Sequence, residues 1–152
     1  MIQSAVADEP LKTVNINAQP LGHLFGLANV SAEFGVSDTI ALGPTVAYVE
    51  AKSRSNTVTY YGFGGSVDFF LNHKRFTDGI VLTLGLNYLF PTNRTLSASR
   101  ILESAQFGYV WFWDEGFNIV LQGGIDYLSG QMKGDQSSKI QPTGGVQIGW
   151  VF

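Results

Sequence analysis

The chain has 152 residues, 45% hydrophobic, 13% aromatic and only 14% charged, with a net charge of −3, 18 glycines and no cysteine. One domain of about eight ten-residue strands fits that length. Low charge with many glycines and aromatics argues against a disordered chain, and glycine, at about 1 kcal/mol per helix-interior position, argues against a long-helix protein. The missing cysteines exclude disulfides, thiolate metal sites and thiol catalysis, and the acidic balance excludes a nucleic-acid-binding basic patch.

Taken from the start, Ala5-Val6-Ala7 before Asp8-Glu9-Pro10 reads as the A-x-A end of a secretory signal peptide or as a flexible tail over residues 1–10. Residues 11–152 are expected to form one domain. Segments of about ten alternating residues recur there, each followed by turn residues, and a period of two means strands. The predicted strands are 12–18, 22–36, 39–50, 57–71, 79–90, 100–113, 117–128 and 142–152. In the first three, Val14 and Ile16, then Leu24, Ala28, Val30 and Phe34, then Ile40, Leu42, Val46 and Tyr48 oppose small or polar neighbours. Pro44 removes a ladder hydrogen bond and predicts a bulge in the third strand. In the fourth, Tyr61, Phe63, Val67, Phe69 and Leu71 oppose Gly62, Gly64, Ser66 and Asp68. The same contrast runs through Ile80 to Phe90, Ala105 to Trp113, Phe117 to Tyr127 and Val146 to Phe152.

The connections sort by length. Ser37-Asp38 and Asp114–Gly116 are tight and 72–78 is moderate, whereas the others, 51–56, 91–99 and 129–141, are mostly longer. The first hairpin, at Gln19-Pro20-Leu21, is the exception, short where a long loop is allowed. Short and long connections thus fall on opposite ends, the arrangement of an outer-membrane barrel with both termini at the periplasmic end. No apolar run approaches the roughly 18 residues of a membrane-crossing helix, so a membrane can be crossed only by a closed barrel.

Face composition decides between a soluble and a membrane barrel. So many large apolar side chains cannot fit inside eight strands, whereas the small polar set can. The apolar face is therefore expected to look outward into lipid. Phe34, Phe69, Trp113, Phe117, Trp150 and Phe152 would form one aromatic girdle, and Tyr48, Tyr61, Tyr88, Phe90 and Tyr127 the other. The lumen would hold Asn15, Asn29, Glu33, Asp68, Asn87, Gln106, Gln122, Asp126 and Gln147, a plugged polar interior. Glu33 and Asp68 could act as a catalytic carboxylate pair or, the stronger reading, as members of a hydrogen-bonded polar core.

The stretch from Val14 to Leu21, running into Gly26 and then Glu33-Phe34-Gly35 before Ser37-Asp38, resembles a family of uncharacterised bacterial outer-membrane-type domains. The whole chain, in its pattern, resembles the small eight-stranded barrels of the OmpA/OmpX type. That resemblance implies an all-β, eight-stranded antiparallel transmembrane barrel with up-and-down meander order, located in a bacterial outer membrane. A terminal Phe152 with Trp150 two residues earlier resembles the assembly signal read by the outer-membrane insertion machinery. The glycine usual five residues before the final aromatic is here Gln147, with glycines at 145 and 149 instead.

Some small barrels modify lipids, and a deacylase would need a serine beside a histidine base. The candidates are His23, near the outer end of the second strand, and His73, in a periplasmic turn beside Lys74 and Arg75. No spacing suggests a metal site, and no cofactor is expected. Asn93-Arg94-Thr95 reads as a glycosylation sequon, irrelevant in most bacteria. Lys52, Arg54, Arg94, Arg100, Lys133 and Lys139 lie in or beside the outer connections. They could pair with lipopolysaccharide phosphates or be ordinary solvated charges. The leading expectation is a monomeric structural or adhesion-type barrel whose outer loops contact lipopolysaccharide or another surface. A lipid-modifying enzyme, a narrow solute channel and a soluble ligand-binding barrel are the alternatives.

Overall fold

The computed structural model describes residues 13–20, 27–52, 57–71, 74–92, 99–130 and 138–152, less the side chains of 51, 52 and 130. The strands are β1 (Val14–Ala18), β2 (Leu27–Gly35), β3 (Ile40–Lys52), β4 (Thr57–Phe70), β5 (Gly79–Pro91), β6 (Arg100–Phe112), β7 (Phe117–Gly130) and β8 (Lys139–Val151). Each pairs antiparallel with the next, and β1 pairs with β8, so the sheet is an eight-stranded closed meander barrel. This is the fold that the period-two pattern predicts, because a long alternating strand with a tight turn finds its sequence neighbour first. The expected tail over residues 1–10 and the start of the second strand at 22–26 lie outside the described residues.

The wall is uneven. β3 and β4 pair from Ile40↔Phe69 to Lys52↔Thr57, whereas β1 meets β8 only from Asn15↔Val151 to Ala18↔Ile148. One end carries the connections at 36–39, 71–78 and 113–116 together with Thr13 and Phe152, and is called here the turn end. The other carries the connections leaving Ala18, Lys52, Pro91 and Gly130, and is called the loop end.

The expected bulge at Pro44 does not form. Pairing with β2 runs from Ser31↔Thr45 to Phe34↔Leu42 without a change of register, and Pro44 faces Gly65 on β4 in an unbroken series. Proline interrupts the ladder toward β2, but the chain inserts no extra residue. The last strand starts at Lys139 rather than 142 and takes in Pro142, which pairs with Ile125 of β7. Among the described residues β1 does not reach that level, so a ladder is asked of the proline on one side only.

Geometry demands glycine at several described positions, and two show how. Gly116 closes the turn from Trp113 to Phe117 with φ +96°, a conformation that side chains disfavour. Gly64 lets β4 and β5 approach so closely that a Cβ there would collide with the Leu86 carbonyl oxygen and lie 2.7 Å from Asn87 Cα.

Side chains divide by parity. Outward positions are large and apolar, with Val46 and Phe63 each 62% exposed. Inward positions are small or polar through the middle of the barrel, with larger side chains such as Phe70, Val81, Val110, Leu89 and Leu102 toward strand ends.

Candidate functional site

The lumen is built in three layers. At the turn end, Ala41, Phe70, Val81, Val110, Val120 and Val151 are buried around Phe76, with Phe112 packed against them. Phe76 is not on a strand. It sits in the 71–78 connection at φ +56°, and its ring meets Phe70 edge-on at 5.7 Å and Phe112 at 6.4 Å between centroids. Arg75 anchors this insertion. Its backbone N–H donates to the Asp38 carbonyl at 2.5 Å, and its Nη1 donates to the Ser37 carbonyl at 2.6 Å. Nη1 also lies 3.7 Å from the Asp38 carboxylate.

The middle layer is polar, and Glu33 is its hub. Its Oε2 accepts from Asn15 Nδ2 at 3.0 Å and from Asn17 Nδ2 at 2.9 Å. Its Oε1 accepts from the same Asn17 nitrogen at 2.8 Å and from Ser31 Oγ at 2.8 Å. Asn118 Nδ2 donates to Asn15 Oδ1 at 2.8 Å, tying β7 to β1 across β8. On the facing wall Thr83 Oγ1 donates to Asp68 Oδ1 at 2.5 Å, and Thr45 Oγ1 donates to Asn87 Oδ1 at 2.6 Å. Among the described residues none of these partners is a cation, so amides and hydroxyls alone meet the buried carboxylates. A cavity of about 60 Å³ runs through this layer and against Phe70, Val81, Val110, Phe112 and Val120 of the turn end, room for a handful of waters.

At the loop end the lumen turns apolar again. Ala47, Tyr60, Leu89, Leu102 and Leu128 are buried there, with Leu27, Val49 and Val58 half-buried at the rim. Arg100 enters this layer at the first residue of β6.

The predicted lumen residues Glu33, Asp68, Asn87, Gln106, Gln122 and Asp126 are buried on the inner wall, and Asn29 and Gln147 are half-buried there. Asn29 donates to Gln19 Oε1 at 3.1 Å. Asp126 also borders a notch between Leu27 and Gln141–Gly144, at the loop end of the seam. The apolar layers above and below were not expected from a polar lumen. Val81, Val110, Val120, Leu89 and Leu102 share the inward parity, which is their signal in the sequence. Phe76 has no such signal, since it acts from a connection.

The aromatic residues gather toward the two strand ends. Near the turn end Trp113 and Phe117 lie 5.3 Å apart, and Phe117 and Trp150 6.2 Å apart; Phe34 and Phe152 are exposed, and Phe69 is half-buried. Near the loop end Tyr48 meets Tyr61 at 5.5 Å and Tyr88 meets Phe90 at 4.7 Å, with Tyr127 36% exposed.

The cationic rim is redrawn. Arg100 is not an outer contact. It is 6% exposed with its guanidinium over the Tyr60 ring, because it shares the inward parity of Leu102, Ser104 and Gln106. Lys139 is exposed at the start of β8. Arg54, Arg94, Lys133, the Lys52 side chain, both candidate histidines, His23 and His73, and the sequon at 93–95 lie outside the described residues. Among the described residues no group of His, Cys, Asp and Glu is placed to hold a metal ion.

Compared with known proteins, the chain matches no family model, no curated protein and no solved structure, so its likeness to small outer-membrane barrels rests on the eight-stranded closed architecture.

Proposed function

We propose that the chain crosses a bacterial outer membrane as a closed, non-conducting scaffold, with its loop end outside and in contact with lipopolysaccharide or another surface. The observation that carries this is the outward face. On the eight strands the charged outward side chains described are Glu50, near the loop end, and Glu103, the fourth residue of β6, which pairs with Leu86 and Tyr127. Between the level of Glu103 and the turn end every described outward position is apolar, aromatic or glycine. A contiguous apolar surface wrapping a whole molecule is foreign to a soluble monomer, and it is what an outer-membrane barrel turns toward lipid. Three of the four loop-end connections, 19–26, 92–99 and 131–138, span eight residues each, the length class of outer loops, and Lys139 stands exposed at the base of the last. The filled lumen favours a scaffold over a solute channel.

The test compares the purified full chain with and without a non-ionic detergent on an unheated gel, and repeats the comparison with Leu84→Arg. Leu84 sits at the middle of β5 and is 43% exposed. Expected is a detergent-dependent, faster-migrating band, and a loss of roughly 2–4 kcal/mol on placing arginine at the bilayer midplane. A chain that stays folded and monomeric without detergent, with Leu84→Arg neutral as a water-exposed substitution would be, sinks the membrane reading.

A further inference from the structure

Among the described residues Arg100 is a buried cation without an anion. Its guanidinium carbon lies 5.7 Å from the Tyr60 ring centroid, but its Nε and Nη2 are buried and donate to no described group. The Tyr60 hydroxyl is likewise buried without a partner. By register the nearest inward carboxylate is Asp126, paired with Ser104, while Arg100 pairs with Gly130 at the rim. No ion pair joins them, and Asp126 Oδ1 is itself without a hydrogen bond. Arginine stays charged at any working pH. The face of a tyrosine ring offsets only part of what is lost when a charge leaves water.

The surroundings describe what would complete the site. Leu89 and Leu102 are buried beside Arg100, and Leu27, Val49 and Val58 form a half-buried apolar rim above. A hydrated inorganic ion would answer the guanidinium but leave that rim facing water. We propose that the loop end of the lumen binds an amphiphilic oxyanion: a carboxylate or phosphate received by the planar fork of Arg100 and the Tyr60 hydroxyl, with an apolar body against the rim. The fork suits a two-point hydrogen bond to such a group. The site depends on the lumen and not on what surrounds the barrel, so it stands or falls separately from the membrane reading.

The experiment titrates dodecanoate, dodecyl phosphate, dodecanol and acetate into the full chain in lipid nanodiscs and follows the Arg100 Nε–H resonance by NMR. If the chain folds without an amphiphile, the same titration runs in buffer. Expected is a saturable shift with dodecanoate or dodecyl phosphate, the tighter of the two identifying a free fatty carboxylate or a lipid phosphate as the source. Arg100→Met is expected to weaken that binding tenfold to a hundredfold, the scale of a lost charge-assisted hydrogen bond. Tyr60→Phe is expected to weaken it up to tenfold. Methionine also removes the unpaired charge, so the ligand-free variant is expected to resist urea at least as well as the parent. An equal shift with dodecanol, acetate binding as tightly as dodecanoate, or unchanged affinity in Arg100→Met would each overturn the proposal.

Discussion

Glu33→Ala is expected to lower the stability of the barrel by roughly 3–5 kcal/mol, because it strips the shared acceptor from several buried donors at once. Asn15, Asn17 and Ser31 all donate to this carboxylate, and Asn15, Asn17, Ser31 and Glu33 are each at most 7% exposed. A buried polar network left half-satisfied is worse than none. Glu33→Gln keeps one oxygen but turns an amide donor toward Asn17, so an intermediate loss of about 1–2 kcal/mol is expected. Urea unfolding in detergent, extrapolated linearly, measures both. A loss under 1 kcal/mol for Glu33→Ala would mean that waters or rearranged amides fill the site, and that Glu33 is not the hub of the middle layer.

Phe76→Ala is the second large effect. The ring is 5% exposed and packs on Phe70 and Phe112, and truncating a buried phenylalanine costs about 3–5 kcal/mol in lost transfer energy and residual cavity. Alanine also fits φ +56° no better than phenylalanine does, so no backbone relief offsets the loss. The variant is expected to unfold at lower urea than the parent. In planar bilayers it is still expected to pass no current, because the amide and carboxylate layer behind Phe76 remains in place. Steady conductance from Phe76→Ala would move the closure of the lumen from the middle layer to the turn end. An unchanged urea midpoint would mean that the ring does not pack in the lumen at all.

Most of the wall was legible before any coordinates. Alternation is a local property, so the faces of Tyr61 and Gly62, or of Phe107 and Gln106, follow from parity wherever a strand forms. The eight strands and their meander order came with it. Parity also held the correct placement of Arg100, two residues before Leu102 and four before Ser104, but its position beside a loop suggested a rim contact instead. Pro44 misled in the other direction, since one missing donor can be left as a gap in the ladder without a change of register.

What only the tertiary structure decided is which inward groups meet. Asn118 reaches Asn15 across 103 residues of sequence, and Thr45 reaches Asn87 across 42. Those encounters depend on strand register and on closure through the four-pair seam of β1 and β8, quantities no single segment contains. The same holds for the seating of Phe76 and for the missing partner of Arg100. Side-chain alternation is set within one strand by the pleat of the backbone, whereas hydrogen-bond satisfaction and packing are set between strands, by distances that exist only once the sheet has closed.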